Sequence, residues 1–440
     1  MARPLSRAAS PKSHPDFPPV KITIGLSLSL TGEYSPMGRQ AEIAIRLFIA
    51  DANASSALRV AGERCEFALE CHDDASDPVR CADIYRSLCA DRRADIIFGP
   101  YSSRLTRAAS GIVEQSGRVF VNHGGAGDEL YDRSYRMIVG VLSPASDYLL
   151  GFVRLLTQLK LWRKRVAIVA AKSPFARAVA SGFERAADER AARRRGVRLR
   201  VKWNGAFDSA STPARLFPAL IRNRINALAS AGSYEHDVAV MRAVAASRLN
   251  IPVLGCVAAG VRRFASDLGE LAEGIVGPSQ WEDSIEIAPA LGPTPAEFAR
   301  RMVTAAAGDS PDYPAAQIYA AGLLTAAALA AAGRRDDAML RDAFSNLQTT
   351  TMFGDFSIDR VTGRQLGHQM LLVQWHRGHK VIIAPESHDD SGSLGFPSGL
   401  RLLLAGIEML RLSRRDDSRE SLGDAESEES DLDKDERNHD

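Results

Sequence analysis

The segment from Val20 to Ala50, VKITIGLSLSLTGEYSPMGRQAEIAIRLFIA, constrains the fold more than any other part of the chain. Ile22, Ile24, Leu26, Leu28 and Leu30 alternate with Thr23, Gly25, Ser27 and Ser29, and Thr31-Gly32 closes the run. That period of two is the mark of a strand. Ala41, Ile43, Ala44, Ile45, Leu47 and Phe48 then recur at helical spacing. A strand that feeds a short polar loop and then a helix predicts an α/β unit. Such loops, ahead of helix N-termini, are where open α/β sheets hold ligands.

Two more loops share this form. Asp95 to Phe98 leads through Gly99-Pro100-Tyr101-Ser102-Ser103 into a helical pattern over Leu105 to Val113, and Val119-Phe120-Val121 ends in Asn122-His123-Gly124-Gly125-Ala126-Gly127. Arg136 to Val141 reads as a strand, and Ser143-Pro144 starts a helix over Tyr148 to Leu161. A second series follows: strand Val166 to Val169, helix Phe175 to Arg194, strand Val197 to Trp203, helix Ala214 to Asn223, strand Ala227 to Ala231, helix Asp237 to Ala246, strand Val253-Leu254. This rhythm predicts a parallel, helix-covered sheet. Phe298 to Ala307 and the Ala-rich Ala315 to Ala332 read as helices, Phe353 to Ile358 and Gln369 to Trp375 as a hairpin-like pair, and Val381 to Ile383 as the end of the globular body.

In this order, SLSLTGEYSPMGRQAEIAIRLFIADANA, the pair Asp73-Asp74 before Ser76-Asp77-Pro78, GPYSSRLTRAAS, VAIVAAKSPFARAVASGF and FGDFSIDRVTGRQLGHQMLLVQW resemble the type I periplasmic solute-binding proteins, specifically the branched-chain amino-acid (leucine/isoleucine/valine) binding family. The resemblance runs from about Val20 to about Pro385. It implies a two-lobed α/β fold with a parallel helix-covered sheet in each lobe and three hinge crossings. The lobes are expected at 20–141 plus 278–350 and at 142–277 plus 351–385, with crossings near Val139 to Ser143, Gly274 to Ser279 and Thr351 to Phe356.

Composition bounds the partners. Length of 440 residues and 45% hydrophobic content suffice for two cores, and a formal net charge of +1 indicates no nucleic-acid partner. The five cysteines have no CxxC or Cys/His metal spacing and read as reduced core thiols. Some family members carry a disulfide at the positions matching Ser76 and Ser102, where this chain has serines. Residues 1–19 hold basic residues and prolines but no apolar run of a secretory signal. The chain as written is therefore expected to stay in the cytoplasm, although periplasmic is the family norm. No segment is expected to span a bilayer, which takes roughly 18 to 20 apolar residues. Residues 386–440 read as a linker, a short apolar helix over Leu400 to Leu412 and a disordered tail, in which residues 414–440 carry 12 acidic against 5 basic side chains. Arg185, Arg190, Arg193, Arg194, Arg195, Arg198 and Arg200 form an opposite cluster, read as a solvated face.

The chemistry looked for is that of binding a small polar solute: hydroxyls and backbone amides at strand ends, with no activated nucleophile. The resemblance places Ser103 against a ligand carboxylate, with Ser102 beside it, both at or just before a helix N-terminus. Gly124 matches a position that binds through its backbone, which any residue supplies, and Ala126 one that is often Thr or Ser. In the second lobe Phe175 takes an aromatic position, Ser233 and Tyr234 follow a strand, and Val257 falls where the acidic partner of an α-ammonium belongs. Gly255 to Ala259 contains no carboxylate, which leaves Glu235 and Asp283 as substitutes. Met37 and Trp281 are expected to touch the ligand or line the cleft. Each of these residues also has an ordinary packing or capping role open to it.

No GxxxxGK[ST], GxSxG, HExxH or GxGxxG occurs, so no enzyme, cofactor or metal is expected; His123 near Ser103 would suggest a nucleophile and base but lacks an orienting carboxylate. The reading is a receptor for an amino-acid-like, carboxylate or amide ligand, partnered by an ABC-transporter permease. The alternative is a cytoplasmic ligand sensor on the same fold, similar to the amide-sensing regulators and acting on a regulatory protein.

Overall fold

The structure is a computed structural model that describes residues 18–90, 93–159, 164–191, 196–247 and 249–385. The expectations for residues 1–17, for 386–440 and for Arg193 to Arg195 lie outside these residues. The chain order in the first half is β1 (Val20–Leu28), α1 (Ser35–Ser55), β2 (Arg59–Val60), β3 (Glu63–Asp73), α2 (Pro78–Ala90), β4 (Ile96–Phe98), α3 (Ser103–Gln115), β5 (Phe120–Asn122), β6 (Ile138–Gly140) and α4 (Leu150–Gln158). It continues with β7 (Lys164–Ala170), α5 (Pro174–Ala191), β8 (Val197–Asn204), α6 (Thr212–Arg222), β9 (Ala227–Ala231), α7 (Tyr234–Ala246), β10 (Val253–Cys256), α8 (Arg263–Leu268) and β11 (Val276–Ser279). Last come α9 (Pro295–Ala305), α10 (Tyr313–Ala332), α11 (Asp337–Asn346), β12 (Thr349–Thr351), β13 (Gly354–Phe356), β14 (Leu371–His376) and β15 (His379–Ala384).

Two main sheets result. The first has the order β2-β3-β1-β4-β5-β6, the second β15-β14-β11-β10-β9-β7-β8, and β12-β13 form a separate pair. β1, β3, β4, β5 and β6 run parallel, in register from Val20 opposite Cys65 to Leu28 opposite Asp73. β7 to β11 also run parallel, and β14-β15 close that sheet as an antiparallel hairpin.

β1 shows why the first unit folds as it does. Ile22, Ile24, Leu26 and Leu28 pack into one core, and the small residues between them are covered as well. A Cβ on Gly25 would meet Ala94 at 2.4 Å and Leu88 of α2 at 3.1 Å, while Ser27 is fully buried and bonds to Asp74. Alternation here sorts large from small residues on a strand covered on both faces.

Three expectations need correction. The crossing expected near Gly274 to Ser279, with the first lobe resuming at 278, falls later: β11 is a strand of the second sheet and the crossing begins after Ser279. Phe353 to Ile358 and Gln369 to Trp375 do not form one hairpin: β13 pairs with β12, and β14 pairs with β15 and β11. The turn Arg377-Gly378, with both φ values positive, supplies the tight connection that makes β14 and β15 partners. Finally, α10 is long and apolar enough to cross a bilayer by length and composition. Its residues are instead mostly buried, with Ala320, Ala321, Leu324 and Ala328 in the core against α1.

The chain passes between the two sheets three times: from β6 to β7, from β11 to α9, and from β13 to β14. The passes are stitched together. Gln280 donates through Nε2 to the Ser143 carbonyl at 3.1 Å and accepts at Oε1 from Ser143 N at 3.2 Å. His368 places Nδ1 2.6 Å from Ser143 Oγ and Nε2 3.0 Å from the Gln280 carbonyl, and stacks on Phe353 with ring centroids 4.4 Å apart. Nε2–H donates to the Gln280 carbonyl, and Nδ1 shares the Ser143 hydroxyl with the His368 carbonyl, 3.1 Å from that oxygen. Burial depresses the His368 pKa to about 4.

Candidate functional site

Loops at the carboxyl ends of both parallel sheets face one another and enclose a cavity of about 410 Å³. Met37, Ser102, Ser103, Gly124, Ala126, Phe175, Ser233, Tyr234 and Val257 all line it. Trp281 does not. Its indole is buried, donates to the Met352 carbonyl at 3.0 Å and packs edge-on against Phe298. Trp281 lines instead a second cavity of about 400 Å³ behind the crossings, with Phe353, Asp355 and Lys380.

In the first lobe the loop between β4 and α3 makes the anchor. Ser102 caps α3, its Oγ accepting from Leu105 N at 3.3 Å, with φ of +81° in a region L residues rarely occupy. Ser103 Oγ accepts from Gly127 N at 2.9 Å, so its proton is free to be donated. The N–H groups of the first helical turn, at Ser103 and Arg104, have no intrahelical acceptor and favour an anion. Gly124 differs from expectation. Its carbonyl accepts from Ser102 N at 3.1 Å and its N–H points to Asn122 Oδ1 at 3.3 Å. An added Cβ would lie 2.4 Å from the Pro100 carbonyl and 2.7 Å from Tyr101 Cα. Only glycine therefore permits this contact between the two loops.

The loop after β1 is held by the two aspartates. Asp74, fully buried, accepts from Ser27 Oγ at 2.7 Å, Ser29 Oγ at 2.6 Å and Ser76 N at 2.9 Å. Asp73 accepts from Thr31 Oγ1, Leu30 N and Ala75 N; burial alone would raise its pKa, but these bonds, Thr31 foremost, hold it below the usual carboxylate value. Ser76 donates to the Thr31 carbonyl and accepts from Tyr34 N.

In the second lobe Ser233 caps α7, accepting from His236 N at 3.3 Å. Tyr234 donates to Asp267 at 2.6 Å, with the Arg263 guanidinium 3.6 Å from its ring centroid. Phe175 meets the Tyr148 ring edge-on at 5.3 Å. Val257 opens a 3-10 turn after β10, and buried Asp237 fixes that turn by accepting from Ala258 N at 3.0 Å. Of the two substitutes named from the sequence, Glu235 lines the cavity but is largely exposed and pairs with Arg263 at 3.1 Å. Asp283 does not line it and pairs with Arg262 at 2.9 Å.

Several lining residues escaped the sequence reading. Tyr101, Tyr148, Tyr313 and Gln280 stand on four separate segments, and no local pattern joins them. Glu129 is a further carboxylate on the Ser103 side, its Oε2 2.6 Å from where a Cβ of Gly127 would be. His123 is fully buried beside Phe98, and burial lowers its pKa to about 4; neither ring nitrogen bonds to Ser103. That pair is not a nucleophile and base. Among the described residues no group of three His, Cys, Asp or Glu side chains could hold a metal, and all five cysteines are free thiols.

A ligand-sized cavity between two helix-covered parallel sheets joined by three crossings defines a two-lobed solute-binding receptor. The profile of the family described as periplasmic binding protein matches residues 21–380. The chain belongs to that family. Among solved structures it resembles the leucine-binding protein LivK of Thermotoga maritima, with TM-score 0.68 and 16% identity over 82% of this chain and 97% of that one. It resembles LivJ of Streptococcus pneumoniae, solved with isoleucine, with TM-score 0.67 and 17% identity over 82% and 97%. A solute-binding protein of an ABC transporter from Rhodopseudomonas palustris, solved with 3,4-dihydroxybenzoic acid, gives TM-score 0.65 and 17% identity over 82% and 95%.

Proposed function

We propose that this protein captures a small organic carboxylate or amide lacking an α-ammonium between its lobes and delivers it to an ABC-type permease. Delivery rests on likeness to transporter receptors. Their ligands include branched-chain amino acids and an aromatic acid, so the fold leaves the ligand class to the side chains. The observation that carries the ligand class is the absence of a carboxylate from Gly255 to Ala259, opposite a first-lobe anchor of hydroxyl and N–H donors. A closed cleft removes the ligand from water, and a buried ammonium without a counter-charge costs several kcal/mol. At 1.4 kcal/mol per tenfold, free leucine, isoleucine and valine lose about a hundredfold or more relative to matched acids.

A thermal-shift panel tests this. A ligand at a hundred times its dissociation constant adds about 2.7 kcal/mol of stability. The 2-oxo and 2-hydroxy acids matched to leucine are expected to raise the melting temperature, and leucine to leave it unchanged. Leucine acting at micromolar concentration while the acids do nothing would refute the reading. Loss of that leucine effect in Glu129→Gln would then identify Glu129 as the ammonium partner.

A further inference from the structure

The deep wall of the cavity has more hydrogen-bond protons than the protein uses. Tyr101 and Tyr313 place their hydroxyl oxygens 2.6 Å apart. One of the two protons makes that bond, and the other has no acceptor among the described residues. The Tyr148 hydroxyl accepts from Gln280 Nε2 at 3.1 Å, so its own proton is likewise unspent. Burial pushes all three phenols up, Tyr148 to about 12, so these protons stay in place throughout the physiological range. The nearby acceptors are already committed: the Gln280 Oε1 holds Ser143 N, and Asp312 caps α10 and receives Arg262 N at 2.9 Å. The walls between are apolar rings, with Tyr34 edge-on to Tyr101 at 6.0 Å and Phe175 edge-on to Tyr148.

We propose that Tyr148 and the Tyr101–Tyr313 pair are specificity-determining residues that read a second hydrogen-bond acceptor on the ligand, which makes the ligand a hydroxylated or carbonyl-bearing aromatic acid. This rests on the acid reading above, in which Ser103 and the start of α3 hold the carboxylate. A donor buried without an acceptor is costly, so a ligand that brings none to this wall leaves two phenol protons desolvated. A ligand that brings acceptors there satisfies them. Flat rings suit the wall because aromatic edges and faces pack offset against one another at the spacings seen here. The Tyr101–Tyr313 bond also strengthens its outer hydroxyl as a donor, since the donating oxygen is polarised by the proton it accepts.

The proton count gives an unusual mutational signature. Tyr313→Phe removes one hydroxyl and one proton but frees the Tyr101 proton, and Tyr101→Phe does the converse. Each single variant keeps one free donor, and only the double variant has none. Tyr148→Phe removes its donor and frees the Gln280 Nε2 proton that the phenol accepted, while the other Nε2 proton keeps the Ser143 carbonyl at 3.1 Å.

The experiment measures dissociation constants of the full chain for benzoate, 3-hydroxybenzoate, 4-hydroxybenzoate and 3,4-dihydroxybenzoate by calorimetry. At least one hydroxylated acid is expected to bind about tenfold or more tighter than benzoate. The Tyr101→Phe/Tyr313→Phe double variant is expected to erase most of that ratio and Tyr148→Phe to reduce it, with benzoate binding tighter because a donor it leaves unsatisfied is gone. Each Tyr101 or Tyr313 single variant is expected to retain most of the ratio. If benzoate binds as tightly as every hydroxylated acid, or the ratio survives both Tyr148→Phe and the double variant, the inference is overturned while the acid reading stands. If none of these acids binds and the 2-oxo acid panel also fails, both are overturned. Circular dichroism and the melting temperature verify folding, and each ratio is taken between two ligands measured on the same variant.

Discussion

At the scale of single residues, the buried polar groups carry the sharpest expectations. Asp74 accepts from two serine hydroxyls and a backbone N–H inside the first lobe. Asp74→Ala leaves those donors buried without an acceptor, at about 1–3 kcal/mol for each group that water cannot reach. The melting temperature should fall by several degrees, with a smaller fall for Asp74→Asn; an unchanged melting temperature would refute the fastening role. His123 and His368 set a pH dependence. Both have folded pKa values near 4 against an ordinary 6.5, so the unfolded chain binds more protons between those values. Stability from each is therefore complete above pH 6.5 and is lost as pH falls from 6.5 toward 4, about 3 kcal/mol per histidine. Denaturant titrations across that window should show the loss, and His368→Gln should reduce its slope by about half. Much of this was legible in sequence: Asp73-Asp74 stood out as a pair ahead of Ser76-Asp77-Pro78, and Ser102, Ser103 and Val257 are neighbours of recognisable strand ends. Tyr148, Gln280 and Tyr313 were not, because their meeting depends on where crossings and a helix start fall in space.

At the scale of elements, the βα units were readable because each couples a strand to a helix through a loop with its own cap. β9 begins and ends where the sequence placed it, and α5 and α10 lie within a few residues of expectation. β3 escaped because ERCEFALECHD mixes charged and apolar residues with cysteines, and its stability comes from pairing with β1 along nine positions. α8 and α11 were missed because they are short, and α2 because charged and polar residues interrupt its buried face of Cys81, Tyr85 and Leu88. α10 illustrates packing that composition alone cannot reveal. Alanines let it approach α1 closely, and a Cβ on Gly322 would already meet the Phe48 ring at 2.5 Å. Gly322→Leu should cost about 1–3 kcal/mol through overpacking, and Phe48→Leu in the same chain should recover part of it. Additive losses in the double variant, measured by denaturant unfolding, would show that the two positions do not share this contact.

At the scale of the whole molecule, the two sheets are joined by thin crossings and by polar contacts across the cleft rim. Arg262, at the entrance to α8, donates to the Pro311 carbonyl at 2.9 Å and to Asp283, while its backbone N–H meets Asp312 at the cap of α10. Lys380 on β15 is buried against Glu282 at 2.6 Å and lies 3.6 Å from Asp312. These contacts reach from the second sheet to the start of α10, one residue from Tyr313, and so link lobe geometry to the cavity wall. A bound ligand touching Ser103 on one side and Phe175 or Val257 on the other adds contacts made only when the lobes are together. Its differential affinity for that arrangement is what shifts the population. Small-angle scattering should therefore show a smaller radius of gyration with a saturating ligand than without. Arg262→Ala removes rim contacts without entering the cavity, so it should enlarge the ligand-free radius and weaken binding through the lost fraction of closed molecules. A radius unaffected by a ligand whose saturation has been verified by calorimetry would rule out closure about these three crossings.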